Sequence, residues 1–242
     1  MAYWLNQLTW PQAEEQIKKM PVALVPVGAT EQHGRHLPIG TDVFLAEKLA
    51  SMVSDRTEAL VYPSVNFGYS WVWRDRVGTV SMRQPVLQEI LKDVVRSVER
   101  YGIQMVLFIN GHEANSATLK YAVREIQDET KVKVLGMFYP GWQQVYQEYM
   151  ESPTWGGMFH ACEFETSLML ATNEELVHME DAVREYPERP LYYGMDNTSI
   201  GDLSSSGTYG DPTVATKKKG EKMLEIFAEN IVKLIRNYPI QN

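Results

Sequence analysis

Cysteine is nearly absent from this chain. A single one, Cys162, stands among 242 residues, which excludes an intrachain disulfide and points to a reducing compartment. No apolar run approaches the about 18 residues that suggest a membrane-spanning helix. Positive charge is in deficit: 23 Lys and Arg against 31 Asp and Glu give a net charge of −8. The basic footprint of a nucleic-acid or anionic-lipid binder is therefore missing. No Gly-x-Gly-x-x-Gly follows a strand-like run and no Walker-type phosphate loop occurs, which disfavours dinucleotide and nucleotide chemistry. No Gly-x-Ser-x-Gly marks a serine nucleophile. Residues 1–19 carry polar side chains throughout, with no apolar h-region, and do not read as a signal peptide. The expectation from these absences is a cytoplasmic protein that handles a small molecule, with neither nucleic acid nor membrane as partner.

What is present suits a sizeable core: 44% of residues are hydrophobic and 22% charged. No Pro/Ser-rich linker and no repeat divides the chain, so residues 1–242 are expected to form one domain. After a helical segment at 10–19, strand-like and helical patterns alternate. Apolar runs at 22–28, 59–65, 105–109 and 132–139 have strand length, while 42–53, 84–101, 115–128 and 216–236 carry helical spacing. Thr41 is placed as the N-cap of the helix at 42–53. This order predicts an α/β fold with a mainly parallel sheet and helices on both faces.

Chemistry-bearing side chains fall at the ends of these strands. The run at 22–28 is followed by Glu31, His33, His36 and Asp42, four potential metal ligands between glycines. Glu31 and His33 are two apart and share a side in extended chain. Carboxylate with imidazole suits zinc, manganese or iron better than calcium or magnesium alone. The run at 105–109 ends in Asn110-Gly111-His112-Glu113-Ala114-Asn115, where a glycine turn again delivers a histidine and a carboxylate. In a parallel sheet the two corners lie at one edge, which is where sites form. A third cluster, His160-Ala161-Cys162-Glu163-Phe164-Glu165-Thr166-Ser167, precedes an apolar helical run. Its two carboxylates could equally serve the free amides of a first helical turn.

These motifs together resemble the creatininase (creatinine amidohydrolase) family. The resemblance runs through Gly28-x-x-Glu31-Gln32-His33-Gly34-x-His36-Leu37-Pro38-x-x-Thr41-Asp42, then Asn110-Gly111-His112-x-x-Asn115, then His160-Ala161-x-Glu163-x-Glu165-Thr166-Ser167. It continues in Gly207-Thr208-Tyr209-Gly210-Asp211-Pro212 and covers nearly the whole chain. It implies a creatininase-like fold, a homo-oligomer (a hexamer in the family), and two divalent metals, zinc and/or manganese. Carried over position by position, Glu31, Asp42 and His112 would hold one metal and His33, Asp42 and Glu163 the other, with Asp42 bridging. His160 would be the catalytic histidine that passes a proton to the leaving group. Glu165, Asn110 and Asn115 would orient these groups.

The sequence departs from creatininase itself at informative places. Ala114 stands where that enzyme has a metal-binding glutamate, so Glu163 is expected to supply the carboxylate. Gly156-Gly157 stands where a Trp-Asp pair covers creatinine, with Trp155 adjacent. The loop Trp71-Val72-Trp73-Arg74-Asp75-Arg76 also differs. His36, Arg74, Arg76, Glu113 and Trp155 are therefore the expected substrate contacts. The reaction implied is attack of metal-activated water on a carbonyl carbon, with C–N cleavage of an amide or cyclic amide other than creatinine as the leading reading. Hydrolytic C–C ring opening of a cyclic keto-polyol such as a dehydro-scyllo-inosose is the alternative. A non-catalytic assembly protein and a Cys162-based transferase are the rivals from other classes.

Overall fold

Strands that are apolar on both sides are stable only where both sheet faces are covered. The runs at 22–27 and 105–110 are of this kind. A computed structural model describes residues 2–158 and 160–239. Its sheet has five parallel strands, β1 (Tyr3–Trp4), β2 (Val22–Val27), β3 (Leu60–Val61), β4 (Met105–Asn110) and β5 (Lys133–Phe138), in the order β1-β3-β2-β4-β5. Along β2, Val22 and Leu24 join one apolar layer, and Ala23, Val25 and Val27 the other. The strand period of two thus feeds two cores.

Helices α2 (Thr41–Thr57), α6 (Glu163–Thr172) and α7 (Lys217–Asn237) cover the first face through Leu45, Leu49, Phe164, Leu168 and Phe227. Helices α1 (Trp10–Lys19), α3 (Gln84–Glu99) and α4 (Asn115–Glu129) cover the second through Ile17, Leu87, Leu91, Leu119 and Ile126. Each such side chain, fully buried, contributes about 1.5–3 kcal/mol. The short α5 (Trp142–Tyr149) packs on α7. The expected α/β arrangement, a parallel sheet between two helical layers, is what the chain forms.

Details differ where single residues override the pattern. The strand expected at 59–65 is regular only over Leu60–Val61, because Pro63 has no N–H to give. Ladder-like bonds from Tyr62 to Leu24 and from Val65 to Pro26 continue around it. Gly40, not Thr41, precedes α2, since the Thr41 hydroxyl donates back to the Pro38 carbonyl at 2.7 Å. Strand β1 and helix α5 are too short to register as periodic patterns.

The chain runs from β2 to β3 on one side of β2, then to β4 on the other. The C-terminal ends of β2 and β4, paired through Val27 and Asn110, therefore flank the point where the winding reverses. Gly28 and Gly111 follow these two ends. A Cβ on Gly28 would lie 2.7 Å from the main-chain nitrogen of Val43, and one on Gly111 would collide with the Asp42 carbonyl. The first turn of α2 is thus seated directly on the two strand ends. Gly111→Ala is expected to lower stability by about 1–3 kcal/mol through overpacking, read as a fall in the urea midpoint; an unchanged midpoint would mean that α2 has room to shift.

Candidate active site and metal centre

The loop after β2 folds back on itself, with an isolated bridge from His33 to Leu37, a bond from the Glu31 amide to the Ile39 carbonyl, and Gly34 at φ +67°. It buries Glu31 and His33 completely. Asp42 stands in the first turn of α2, where the helix dipole favours a carboxylate. His112 follows β4 in a turn held by Asn110, whose side chain accepts from the His112 amide at 3.1 Å and donates to its carbonyl at 2.7 Å. Asn115 ties that turn to the first loop by donating to the Gly28 carbonyl at 3.0 Å and accepting from the Tyr69 amide at 2.8 Å.

Each histidine is oriented by a main-chain carbonyl, which can only accept. The Tyr69 carbonyl takes the Nε2 proton of His112 at 3.0 Å, and the Glu31 carbonyl that of His33 Nδ1 at 3.2 Å. The other ring nitrogens turn to the carboxylates: His112 Nδ1 lies 3.0 Å from Asp42 Oδ2 and 3.4 Å from Glu31 Oε1. His33 Nε2 lies 3.1 Å from Asp42 Oδ1 and 3.9 Å from Glu165 Oε2. Yet both Glu31 oxygens, both Asp42 oxygens and His33 Nε2 are buried without an aligned hydrogen bond. Nitrogen and oxygen lone pairs converge here on common points.

Two triads share Asp42: Glu31 with Asp42 and His112, and His33 with Asp42 and Glu165. This donor set fits divalent cations, and orphaned oxygens of this kind are what a cation would satisfy. Glu31, His33 and His160 form a third close grouping.

Glu163 does not belong to the cluster, contrary to expectation. Its buried carboxylate accepts from the Glu151 and Ser152 amides, the latter at 2.7 Å, and pairs with Lys219 Nζ at 2.6 Å. Residues i and i+2 of a helix point to different sides, so α6 offers the cluster Glu165 and turns Glu163 toward α7. Ala161, in the left-handed region at φ +48°, aims its amide at Glu165 Oε2 at 2.6 Å.

His160 caps the cluster. Its Nε2 lies 2.9 Å from both the Gln32 main-chain carbonyl and the Gln32 side-chain nitrogen, leaving Nδ1 3.6 Å from Glu31 Oε1. The ring stacks on Trp73 at 4.3 Å. Burial, reinforced by His33, holds its pKa well below the ordinary histidine value, which favours the neutral ring.

Beside the cluster lies a cavity of about 130 Å³ whose wall includes Val72, Trp73, Phe138, Met158, Tyr193 and Ile200. Glu113 also lines it and is exposed. The other expected substrate contacts do not reach it. Arg74 lies over the Trp71 ring at 3.7 Å, and Arg76 is spent on the carbonyls of Gly201 and Ser204. His36 is buried against Thr166 at 2.9 Å, and burial lowers its pKa to about 4. Trp155 supports the wall from behind, against Tyr209 and Tyr193. The Cys162 thiol is buried and pushed up in pKa by that burial, which removes the thiolate a nucleophile needs. Trp73, Gln32 and Tyr193 escaped the sequence pattern because they approach His160 or the cavity only in three dimensions. A larger groove of about 620 Å³ beside α1, lined by Leu5, Leu8 and Trp10, lies away from these groups.

A parallel α/β fold with a buried carboxylate–histidine cluster at its winding reversal defines a candidate metallohydrolase. A family profile described as creatinine amidohydrolase matches residues 6–235, and the chain belongs to that creatininase family of hydrolases. It is 30% identical to creatinine amidohydrolase of Pseudomonas putida over 96% of both chains. It is 25% identical to 3-dehydro-scyllo-inosose hydrolase of Thermotoga maritima, over 97% of this chain and 83% of that one. It also resembles a crystal structure of creatininase with a TM-score of 0.83, at 28% identity over 99% of each chain. Creatininase is known in a manganese form and, as a variant, in a Zn-Zn form, both similar to this chain with TM-scores of 0.82 and 0.81.

In the cation-free cluster, burial alone would lower His33 and His112, but the neighbouring carboxylates outweigh it and raise each to about 10. Burial raises Glu31 and Glu165 to about 7. Asp42 stays below the ordinary range, because His33 and His112 overcome its burial. A cation must displace the histidine protons at pH 8, and carboxyl protons as well near pH 6. Zinc uptake is therefore expected to release protons in a weakly buffered pH-stat titration. Affinity should fall about tenfold per pH unit for each proton displaced, most steeply below pH 7; uptake without proton release would contradict this charge arrangement.

Proposed function

We propose that this hydrolase holds two divalent cations, zinc or manganese, and cleaves the C–N bond of a small amide or cyclic amide. The observation that carries the reading is the pair of triads sharing Asp42, with its buried, unpartnered oxygens, next to a small cavity walled in part by apolar side chains. Glu31, Asp42 and His112 would hold one cation, and His33, Asp42 and Glu165 the other. Cations in those places would supply an activated water and polarise a carbonyl.

The chain's own groups do the rest. Trp73 and the Gln32 carbonyl fix the His160 ring so that Nδ1 faces the cluster, placed to take a proton and return it to a departing nitrogen. Phe138, Met158 and Ile200 make one part of the wall apolar. The ring's surroundings are themselves held firm. Glu185 accepts from the hydroxyls and amides of the loop at 204–206, and Gln32 donates to the Gly207 carbonyl at 3.1 Å.

Cavity size and lining support an amide over the alternatives. A volume of about 130 Å³ has room for a small ring or acyl group. Among the described residues no lysine or arginine lines it, so a phosphorylated substrate would find no side-chain counter-ion there. For a cyclic keto-polyol only part of the lining, Glu113, Tyr193 and the groups of the cluster, offers partners to hydroxyls, while Val72, Met158 and Ile200 offer none. Gly156 and Gly157 in place of a covering Trp-Asp pair support a substrate other than creatinine.

Elemental analysis is expected to find about two ions per wild-type chain, about one in Glu165→Gln, and two in Glu163→Gln. Assayed against cyclic amides, formamides and keto-inositols, the loaded enzyme should turn over an amide. His160→Ala should lower kcat about 10²–10⁴-fold while keeping both ions. Turnover of a keto-inositol with every amide inert would replace this reading with ring opening.

A further inference from the structure

One buried carboxylate beside the cluster is held away from it. Glu163 opens α6 two residues before Glu165, and it is as fully buried as Glu31. Its anchor is Lys219 on α7. The ammonium lies 2.6 Å from Glu163 Oε1, 2.7 Å from Glu151 Oε1 and 3.0 Å from the Val214 carbonyl. A lysine has three protons to give, and this one has an acceptor for each. The other Glu163 oxygen accepts from the Ser152 amide at 2.7 Å.

The end of α7 that carries Lys219 is set in register on α6. Gly220 comes next in the chain, and a Cβ there would collide with the Ser167 carbonyl. The Thr216 amide donates to the Ser167 hydroxyl at 3.2 Å, while the Thr216 hydroxyl caps α7 by accepting from the Lys219 amide at 3.3 Å. Side chains two apart on a helix leave on different sides. Fixing Glu163 toward α7 therefore fixes Glu165 toward His33 and Asp42. Without the lysine, the first turn of α6 would hold a buried carboxylate with no counter-charge, a cost that a shift of that turn would relieve.

We propose that Lys219 is a positioning residue of the metal centre: by pairing with Glu163 it sets the first turn of α6 so that Glu165 completes the triad with His33 and Asp42. The three acceptors of its ammonium lie outside both triads, so it acts through α6 alone. This rests on the two-cation reading above. It separates the two ions, since the Glu31–Asp42–His112 triad takes no residue from α6.

The test uses the full chain, with zinc as the probe in competition against a chromophoric chelator. Lys219→Met is expected to bind one of its two ions about 10–100-fold more weakly than wild type and the other equally well. In a Glu165→Gln background, where that triad is already broken, Lys219→Met should change nothing further. Adding Glu163→Gln to Lys219→Met removes the uncompensated charge and should restore the weakened ion to wild-type affinity. Lys217→Met, which breaks the exposed pair with Glu174 from the same helix, should leave both ions unchanged. Should Lys219→Met alone fail to fold, the double variant decides: folding with both ions at wild-type affinity supports the pairing, and a weakened ion overturns it. Equal affinities in wild type and Lys219→Met would overturn the role of Lys219 while leaving the two-cation centre standing. Both ions weakened alike, a matching loss in Lys217→Met, or no recovery in the double variant would make Lys219 a packing residue only. Wild type that binds no zinc would overturn both readings.

Discussion

Buried negative charge is the constraint on which the site depends. Glu31, Asp42 and Glu165 lie together out of water, and uncompensated buried carboxylates cost several kcal/mol each. The fold answers with positive partial charge from several directions. The amino ends of α2 and α6 point their dipoles at Asp42 and Glu165, the Ala161 amide reaches Glu165, and His33 and His112 face Asp42. The oxygens that remain orphaned are those of Glu31 and Asp42. Close seating of α2 on the strand ends, possible because Gly28 and Gly111 carry no side chain, brings Asp42 within reach of both loops at once.

The aromatic layer around this charge has a separate task. Trp73, Trp155 and Tyr209 form a small core of their own with Ile200, and it supports the His160 ring and the cavity wall together. A histidine stacked on a buried indole and bonded to a main-chain carbonyl has little rotational freedom. Such a ring presents the same nitrogen to the cluster throughout, which favours proton transfer along one fixed path.

Much of this was legible in the sequence, and the limits are physical. Apolar runs bounded by glycine marked β2 and β4 because central parallel strands tolerate no polar alternation. Their following motifs placed Glu31, His33, Asp42 and His112 at one edge, where the structure has them. The choice between Glu163 and Glu165 was not legible. It depends on the helical phase at the start of α6, set by the left-handed backbone at Ala161, and on Lys219, fifty-six residues further on. Arg74 and Arg76 misled for a related reason: a guanidinium satisfies main-chain carbonyls as readily as a substrate, and only tertiary contacts decide. The strand at 59–65 was overestimated because its apolar character masked the donor missing at Pro63.

The pairing of Glu163 with Lys219 ties the site to a helix distant in sequence. Without that cation the turn that carries Glu165 would also carry a buried carboxylate with no counter-charge, which is unfavourable. Helix α7 thus acts as a latch on the cradle, through a lysine that touches none of the groups placed to hold a cation.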